Sequence, residues 1–179
     1  MKHYTYILCA TVLALSACRK EPAATNEPLL PPTPVQEMPD STLWGRLGED
    51  TGMSTLQFIT DKGDTLELFR TNQYTGEDGK LIGEIRNTTD RFAITVTADG
   101  ETVMTAINTT QLEEIWKSAD TNPYDGWKLW NGHILLSGIQ QQEIGAVCRI
   151  DTMDIMTLDR DSLVIRNHVG QIITLKEKV

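Results

Sequence analysis

Hydrophobic and polar residues alternate with a period of two along most of the chain after residue 54. In the stretch FAITVTAD, Phe92, Ile94 and Val96 fall on one side of an extended chain, and the residues between them fall on the other. This period is typical of a β-strand with one buried face. We predict strands in the other segments that show it: Thr55–Thr60, Thr65–Thr71, Lys80–Asn87, Thr102–Ile107, Trp127–Trp130, His133–Ser137, Ile144–Ile150, Asp154–Leu158, Leu163–Arg166 and Gln171–Lys176.

Turn residues separate these segments. Acidic residues and glycine occupy most of the connections, and Asn131-Gly132 is the strongest signal for a two-residue hairpin. A type I′ hairpin turn needs positive φ at both central residues, which Asn and Gly adopt most readily. Short connections of this kind join antiparallel neighbours, so the sequence predicts an antiparallel meander.

One segment has helical spacing. Thr110 and Glu113 stand at the positions of a capping box, and Leu112, Ile115 and Trp116 share one face of a helix. We therefore predict one short helix near residues 110–117. A polar loop follows, from residue 118 to residue 126.

The predicted fold class is all-β. An antiparallel meander of this length avoids exposed strand edges by closing into a barrel or by folding into a curved sandwich. The β domain would span residues 41–179. Two halves on either side of the helix and its loop, 41–117 and 124–179, are an alternative arrangement.

The first 17 residues have the composition of a secretory signal. Lys2 and His3 precede the apolar run Tyr6–Leu15. This run is shorter than the roughly 18 apolar residues that a membrane-spanning helix needs. We predict a signal peptide that is removed after export.

The next segment is rich in proline. Residues 18–40 hold six of the seven prolines in the chain. Proline lacks a backbone donor and favours extended neighbours, so a packed core is not expected there. We predict a semi-rigid linker between the signal peptide and the β domain.

The junction between signal and linker resembles a bacterial lipobox. Leu15-Ser16-Ala17-Cys18 has the pattern in which the cysteine thiol is diacylated, the chain is cut before it and the new amine receives a third acyl chain such as palmitate. The resemblance implies that Cys18 is a lipid anchor, which several acyl chains make firm. It also favours the outer membrane of the cell envelope, on its periplasmic or its surface side, because Arg19 stands where an inner-membrane retention aspartate would be. Plain secretion without a lipid is the alternative.

The second half of the chain resembles lipocalin-like domains of Bacteroides-type lipoproteins. The stretches WKLWNGHILLS, DTMDIMTLDRDSLVIRN and GQIITLKEK are similar to the closing strands of such barrels. The resemblance implies a lipocalin-like β-barrel. It also implies O-glycosylation at Asp-Ser/Thr motifs, of which Asp40-Ser41-Thr42 is the best placed because it follows the linker, making Ser41 the candidate acceptor.

The charge of the chain and its reactive residues argue against several classes of partner and activity. The formal net charge of −9 at pH 7 argues against nucleic acid as a partner, because a phosphate backbone requires a basic patch. His133 and His168 belong to no catalytic or metal-binding motif, so we predict no enzyme activity, no cofactor and no metal site. Cys148 alternates with Ala146 and Ile150 as on one strand face, and we predict that it is buried.

Tryptophan supplies the remaining candidates for a binding site. Trp127 and Trp130 lie three apart in a predicted strand, so they should face opposite sides and only one should point inwards. The inner one would either seal the core or line the mouth of an apolar cavity. Two functions follow as hypotheses: binding of a small apolar or amphipathic ligand, or docking to a larger envelope complex as a structural or accessory subunit.

Overall fold

A computed structural model describes residues 39–142 and 145–178. Cys18, its lipobox and most of the linker lie outside the described residues. The β domain forms one compact unit from Pro39. Its described residues form eleven strands and one helix, which are β1 (Leu43–Leu47), β2 (Thr55–Thr60), β3 (Thr65–Phe69), β4 (Lys80–Ile82), β5 (Arg91–Val96), β6 (Val103–Asn108), α1 (Thr109–Ser118), β7 (Gly126–Trp130), β8 (His133–Gln142), β9 (Gly145–Leu158), β10 (Ser162–Asn167) and β11 (Ile172–Lys176).

The strands form two sheets, and the all-β prediction is confirmed. The first sheet has the order β3-β2-β1-β5-β6-β4, and the second has the order β11-β10-β9-β8-β7. Every pair is antiparallel except β4 with β6, which is parallel. The described strands form a curved sandwich and no closed barrel, so the second of the two predicted forms is the one adopted.

The first sheet curls around a core of its own. A cluster of buried side chains from β1, β2, β3, β5 and β6 lies on one of its faces, with Phe58 and Phe92 both fully buried. The ends of the sheet approach each other, because Phe69 at the end of β3 forms an isolated bridge to Thr102 beside β6. This curvature lets a single sheet bury large aromatic side chains.

A second and larger core fills the space between the sheets. Ala93 and Ile107 contribute from the first sheet, and Leu112 and Ile115 contribute from α1. The second sheet contributes a continuous face of aliphatic side chains: Leu129, Ile134, Leu136, Met153, Ile155, Leu158, Leu163, Ile165 and Leu175. Helix α1 thus packs between the sheets through the apolar face that its sequence predicts.

The helix begins two residues earlier than the capping box predicts. Asn108 is the N-cap, and its side-chain oxygen accepts a hydrogen bond from the Gln111 amide at 3.0 Å. Thr110 already lies within the first turn of the helix, and its hydroxyl accepts a hydrogen bond from the Arg91 amide of the neighbouring strand β5. The capping-box assignment is therefore wrong, although the helix itself lies where it was predicted.

The β7–β8 hairpin has the predicted turn. Asn131 and Gly132 have φ angles of 49° and 82°, and Trp130 pairs with His133 across the turn. Both angles fall in the left-handed region that a type I′ turn requires. This turn fixes the register of β7 on β8.

Three strand predictions needed correction. The predicted strand Lys80–Asn87 ends at Ile82, because Gly83 adopts a φ of 90°. The described part of the predicted strand Ile144–Ile150 and the whole of Asp154–Leu158 belong to the single long strand β9, and β1 was missed. In β9, Ile150 is 67% exposed, so the face that was predicted to be buried is open to solvent there. The side chain of Cys148 lies outside the described part of the structure.

Candidate functional site

The two candidate tryptophans face opposite sides of β7. Trp127 shares the face of Leu129 and packs against the core between the sheets. Trp130 is half-buried on the other face, beside His133 of β8. The expected difference in orientation is therefore observed, and Trp127 is the inner residue. Their contact with a ligand remains a prediction.

The candidate acceptor Ser41 lies where the linker enters the domain. It is exposed, and its hydroxyl donates to the side-chain oxygen of Asn131 at 2.7 Å. The Asn131 amide in turn donates to the Thr42 hydroxyl at 3.0 Å, and the Asn131 side chain donates to the Pro39 carbonyl at 3.3 Å. The first described residues are thus fastened to the β7–β8 turn.

Asp40 also takes part in the hydrogen bonds between the entry segment and the β7–β8 turn. Its partial burial raises its pKa, but hydrogen bonds from Thr42 and Asn131 and the positive charge of Lys128 outweigh this, and the pKa of Asp40 is lowered below its ordinary value. The ionised form of Asp40 is therefore the one that the folded entry segment favours.

A groove of about 360 Å³ opens between the two sheets beside this turn. The β7–β8 turn forms one wall, because Gly132 packs over β5 and β6: a Cβ added at Gly132 would lie 3.3 Å from the Thr105 hydroxyl. The groove is lined by Lys80, Ile82, Thr95, Met104, Thr105, Asn131, Gly132, His133, Asp154, Ile155, Met156 and Arg166. Its volume falls within the range of small-molecule sites.

The apolar lining of this inter-sheet groove includes two exposed methionines. Met104 is 55% exposed and Met156 is 36% exposed, whereas Ile82 and Ile155 beside them are buried. Methionine is flexible and polarisable, so it adapts to ligands of different shape. The groove can therefore cover an apolar group without a rigid, preformed cavity.

The polar lining carries more positive than negative charge. Lys80 lies on β4 and Arg166 on β10, and Asp154 of β9 is the one carboxylate among the described lining residues. The Lys80 ammonium donates a hydrogen bond to the carbonyl of Ile155, which joins the two sheets. Among the described residues, neither Lys80 nor Arg166 forms an ion pair with a carboxylate.

Asp154 is held by a different partner. Its side-chain oxygen lies 2.7 Å from Nδ1 of His133 on the neighbouring strand. Arg166 is the direct cross-strand partner of Asp154 on the other side, yet no ion pair joins them. Among the described residues, the one carboxylate that lines the groove is thus hydrogen-bonded to His133, and the guanidinium of Arg166 can interact with solvent or a ligand.

The sequence predicted the Asn131-Gly132 turn and gave His133 no role, but it did not identify the residues of this groove as a binding site. The turn at Asn131-Gly132 fixes where β8 begins. With the registers of the following hairpins, it places His133, Asp154 and Arg166 side by side on adjacent strands. No local turn signal places Lys80 near these residues, because β4 pairs in parallel with β6, which is about 25 residues away in sequence. The groove depends on that non-local contact.

Two other grooves lie elsewhere on the domain. One, of about 430 Å³, is mainly apolar and is lined by Leu43, Trp44 and Leu66 with Lys62 and two aspartates at its border. The other, of about 460 Å³, is lined by charged and polar residues near the end of β11, where Lys178 pairs with Asp120. Neither Trp127 nor Trp130 lines any of the three grooves.

No model of a known protein family matches this chain, and no curated protein or solved structure matches it either. Among the described residues, no helix is both long and apolar enough to cross a membrane. The described residues also contain no group of three or more His, Cys, Asp or Glu side chains that could hold a metal ion.

Proposed function

We propose that this protein is lipid-anchored in the cell envelope and that its β domain binds a small amphipathic ligand. The observation that carries the proposal is the inter-sheet groove, in which the exposed side chains of Met104 and Met156 lie beside charged groups. A site that combines adaptable apolar surface with a few polar groups suits a ligand with both characters.

The anchor is the second part of the proposal. The pattern Leu15-Ser16-Ala17-Cys18 supports acylation of Cys18, and Arg19 supports the outer membrane as its location. The linker that follows enters the domain at the β7–β8 turn, whose Asn131 also lines the groove. The groove therefore lies next to the point at which the linker enters the domain.

The methionine methyl groups provide a site-specific test. The chain contains six methionines, and ¹³C-methyl labelling of the chain carrying Cys18→Ala allows each to be followed by NMR as an amphiphile is added below its micellar concentration. We expect saturable shifts of the Met104 and Met156 signals. Met53, which is 93% exposed and lies outside the groove, is the internal control.

The control decides between specific and general adsorption. If Met53 shifts as much as Met104 and Met156, the amphiphile coats the surface and the groove is not its site. If no methionine signal shifts for any alkyl probe, the ligand-binding proposal is wrong.

A docking role is the second candidate, and one feature favours it. The pairing of β8 with β9 continues from Gly138↔Arg149 to Gln142↔Gly145, beyond the last pair of β7 with β8 at Gly126↔Ser137. Ile150, at the base of this two-stranded extension, is strongly exposed. The outer strand edges of this ribbon pair with no other described strand, and such edges can add a strand from another protein.

This alternative makes a separate prediction. Ile150→Glu should abolish recovery of an envelope partner with the anchored protein, whereas Met104→Gln should not affect it. Equal recovery with both variants would remove the reason to assign docking to this ribbon.

A further inference from the structure

We propose that the inter-sheet groove selects amphipathic molecules with an anionic head group, which Lys80 and Arg166 contact together. This inference rests on the proposed ligand-binding function and specifies the chemical class of the ligand. A single carboxylate or phosphate on an alkyl chain is the chemistry that fits.

The first argument is the state of the two cations. Several described lysines and arginines form no ion pair, but Lys80 and Arg166 are the two that line the same groove, and neither pairs with a described carboxylate. Two unneutralised cations facing one groove favour an anion between them.

The second argument is the fixed position of Lys80. Its backbone is held in β4 by parallel pairing to β6, and its ammonium already donates one hydrogen bond to the Ile155 carbonyl. An ammonium has three donors, so two remain for a ligand. Because the side chain is already positioned, binding costs less side-chain entropy than it would for a free surface lysine.

The third argument concerns Asp154, the carboxylate in the groove that could neutralise Arg166. Asp154 lies directly across from Arg166 on β9, but its Oδ1 is hydrogen-bonded to Nδ1 of His133 at 2.7 Å and it forms no ion pair with Arg166. The five guanidinium donors of Arg166 make no side-chain hydrogen bond with a described residue. They can therefore pair with both oxygens of a ligand carboxylate.

The apolar part of the ligand has a place beside these groups. Met104 and Met156 belong to the same groove, with Ile82 and Ile155 behind them. Burial of the ligand's methylene groups against such side chains stabilises the complex. The net negative charge of the chain repels anions at long range, but at physiological salt this repulsion is screened beyond about 8 Å, so the local cations decide.

The test compares head groups on one alkyl chain. Decanoate, decyl maltoside and decyltrimethylammonium are titrated, below their micellar concentrations, into the ¹³C-methyl-methionine chain carrying Cys18→Ala. Acetate alone reports on the head group without the chain. We expect decanoate to bind about tenfold or more tightly than the neutral and cationic probes, and acetate to bind more weakly than decanoate.

Matched variants assign the contact to the two residues. Lys80→Met and Arg166→Met should each weaken decanoate binding about threefold to tenfold, whereas Lys80→Arg and Arg166→Lys should retain most of it. Lys62→Met, which removes a lysine from the border of the other apolar groove, is the control and should bind like the parent chain. Unchanged Met53 and Met153 signals show that each variant is folded.

Each contrary outcome has a distinct meaning. Equal shifts of Met104 and Met156 with all three alkyl probes would leave the binding function standing and overturn the anionic selectivity. Acetate binding as tightly as decanoate would show a site for small anions and overturn the amphipathic class. Affinities of Lys80→Met and Arg166→Met equal to that of Lys62→Met would overturn the assignment of these residues. No shift with any alkyl probe would refute the binding function itself.

Discussion

The side-chain amide of Gln111 donates a hydrogen bond to the carbonyl of Asp159 at 2.7 Å, and so joins helix α1 to the β9–β10 turn of the second sheet. The same amide lies 3.3 Å from the carbonyl of Leu158, and its oxygen accepts a hydrogen bond from the Glu84 amide at 2.9 Å. Gln111 is 1% exposed. The buried Gln111 side chain thus supplies hydrogen-bond partners to the Glu84 amide, which follows β4 of the first sheet, and to two carbonyls at the end of β9 in the second sheet.

The first prediction concerns this contact. Gln111→Ala removes the partners of three backbone groups and leaves a cavity, so the free energy of unfolding should fall by about 2–4 kcal/mol. Denaturant unfolding measures this change. Gln73→Ala, at an exposed loop position, should change stability little. Equal effects of the two substitutions would show that Gln111 does not join the sheets.

The second prediction concerns the β7–β8 turn. Gly132 has a φ of 82°, and a Cβ there would lie 3.3 Å from the Thr105 hydroxyl. Gly132→Val should therefore lower the free energy of unfolding by about 1–3 kcal/mol, through both backbone strain and crowding. Gly52→Val is the control, because that glycine has open space around it and no positive φ. An unchanged melting temperature for Gly132→Val would contradict the turn geometry.

Local sequence patterns predicted the parts of the fold that depend on neighbours in the chain. Asn131-Gly132 specified a hairpin, and the spacing of Leu112, Ile115 and Trp116 specified a helix, because both signals act within a few residues. The two-sheet arrangement and the large aliphatic face of the second sheet agree with the period-two pattern.

The parts that were missed depend on contacts between distant segments. The capping residue is Asn108, and the hydroxyl of Thr110 instead accepts a hydrogen bond from the Arg91 amide of β5, a contact that the helix sequence alone does not show. The groove needs β4 beside β6 and the β7–β8 turn over Thr105. The sequence therefore predicted Trp127 and Trp130 as the binding residues. It did not predict the charged residues of the groove, because these come from elements far apart in the chain.

The third prediction separates the two tryptophans. Trp127 packs against the core between the sheets, whereas Trp130 lies on the opposite face beside His133. Trp127→Ala should lower the free energy of unfolding by about 3 kcal/mol, and Trp130→Ala should lower it by less. Because His133 lines the groove, Trp130 is also the better reporter of a ligand: we expect its indole emission to change saturably with decanoate. Equal destabilisation by both substitutions would contradict their assigned faces.

The fourth prediction concerns the lipid anchor. Cys18→Ala should abolish incorporation of a labelled fatty acid and recovery of the protein with membranes, because the acyl chains supply the membrane affinity. Labelling followed by membrane fractionation measures both. Cys148→Ala retains Cys18 and should remain labelled and membrane-bound. Label on the Cys18→Ala protein, or wild-type protein found wholly in the soluble fraction, would refute the lipoprotein assignment.

The central claim is that an amphipathic ligand lies in the groove between the two sheets. It is tested most directly by intermolecular nuclear Overhauser effects between the alkyl protons of bound decanoate and the methionine methyl groups of the labelled chain. We predict cross-peaks to Met104 and Met156, which line the groove, and none to Met53, which lies outside it. Cross-peaks to Met53 alone, or saturable binding without any contact to Met104 or Met156, would place the ligand elsewhere and contradict the claim.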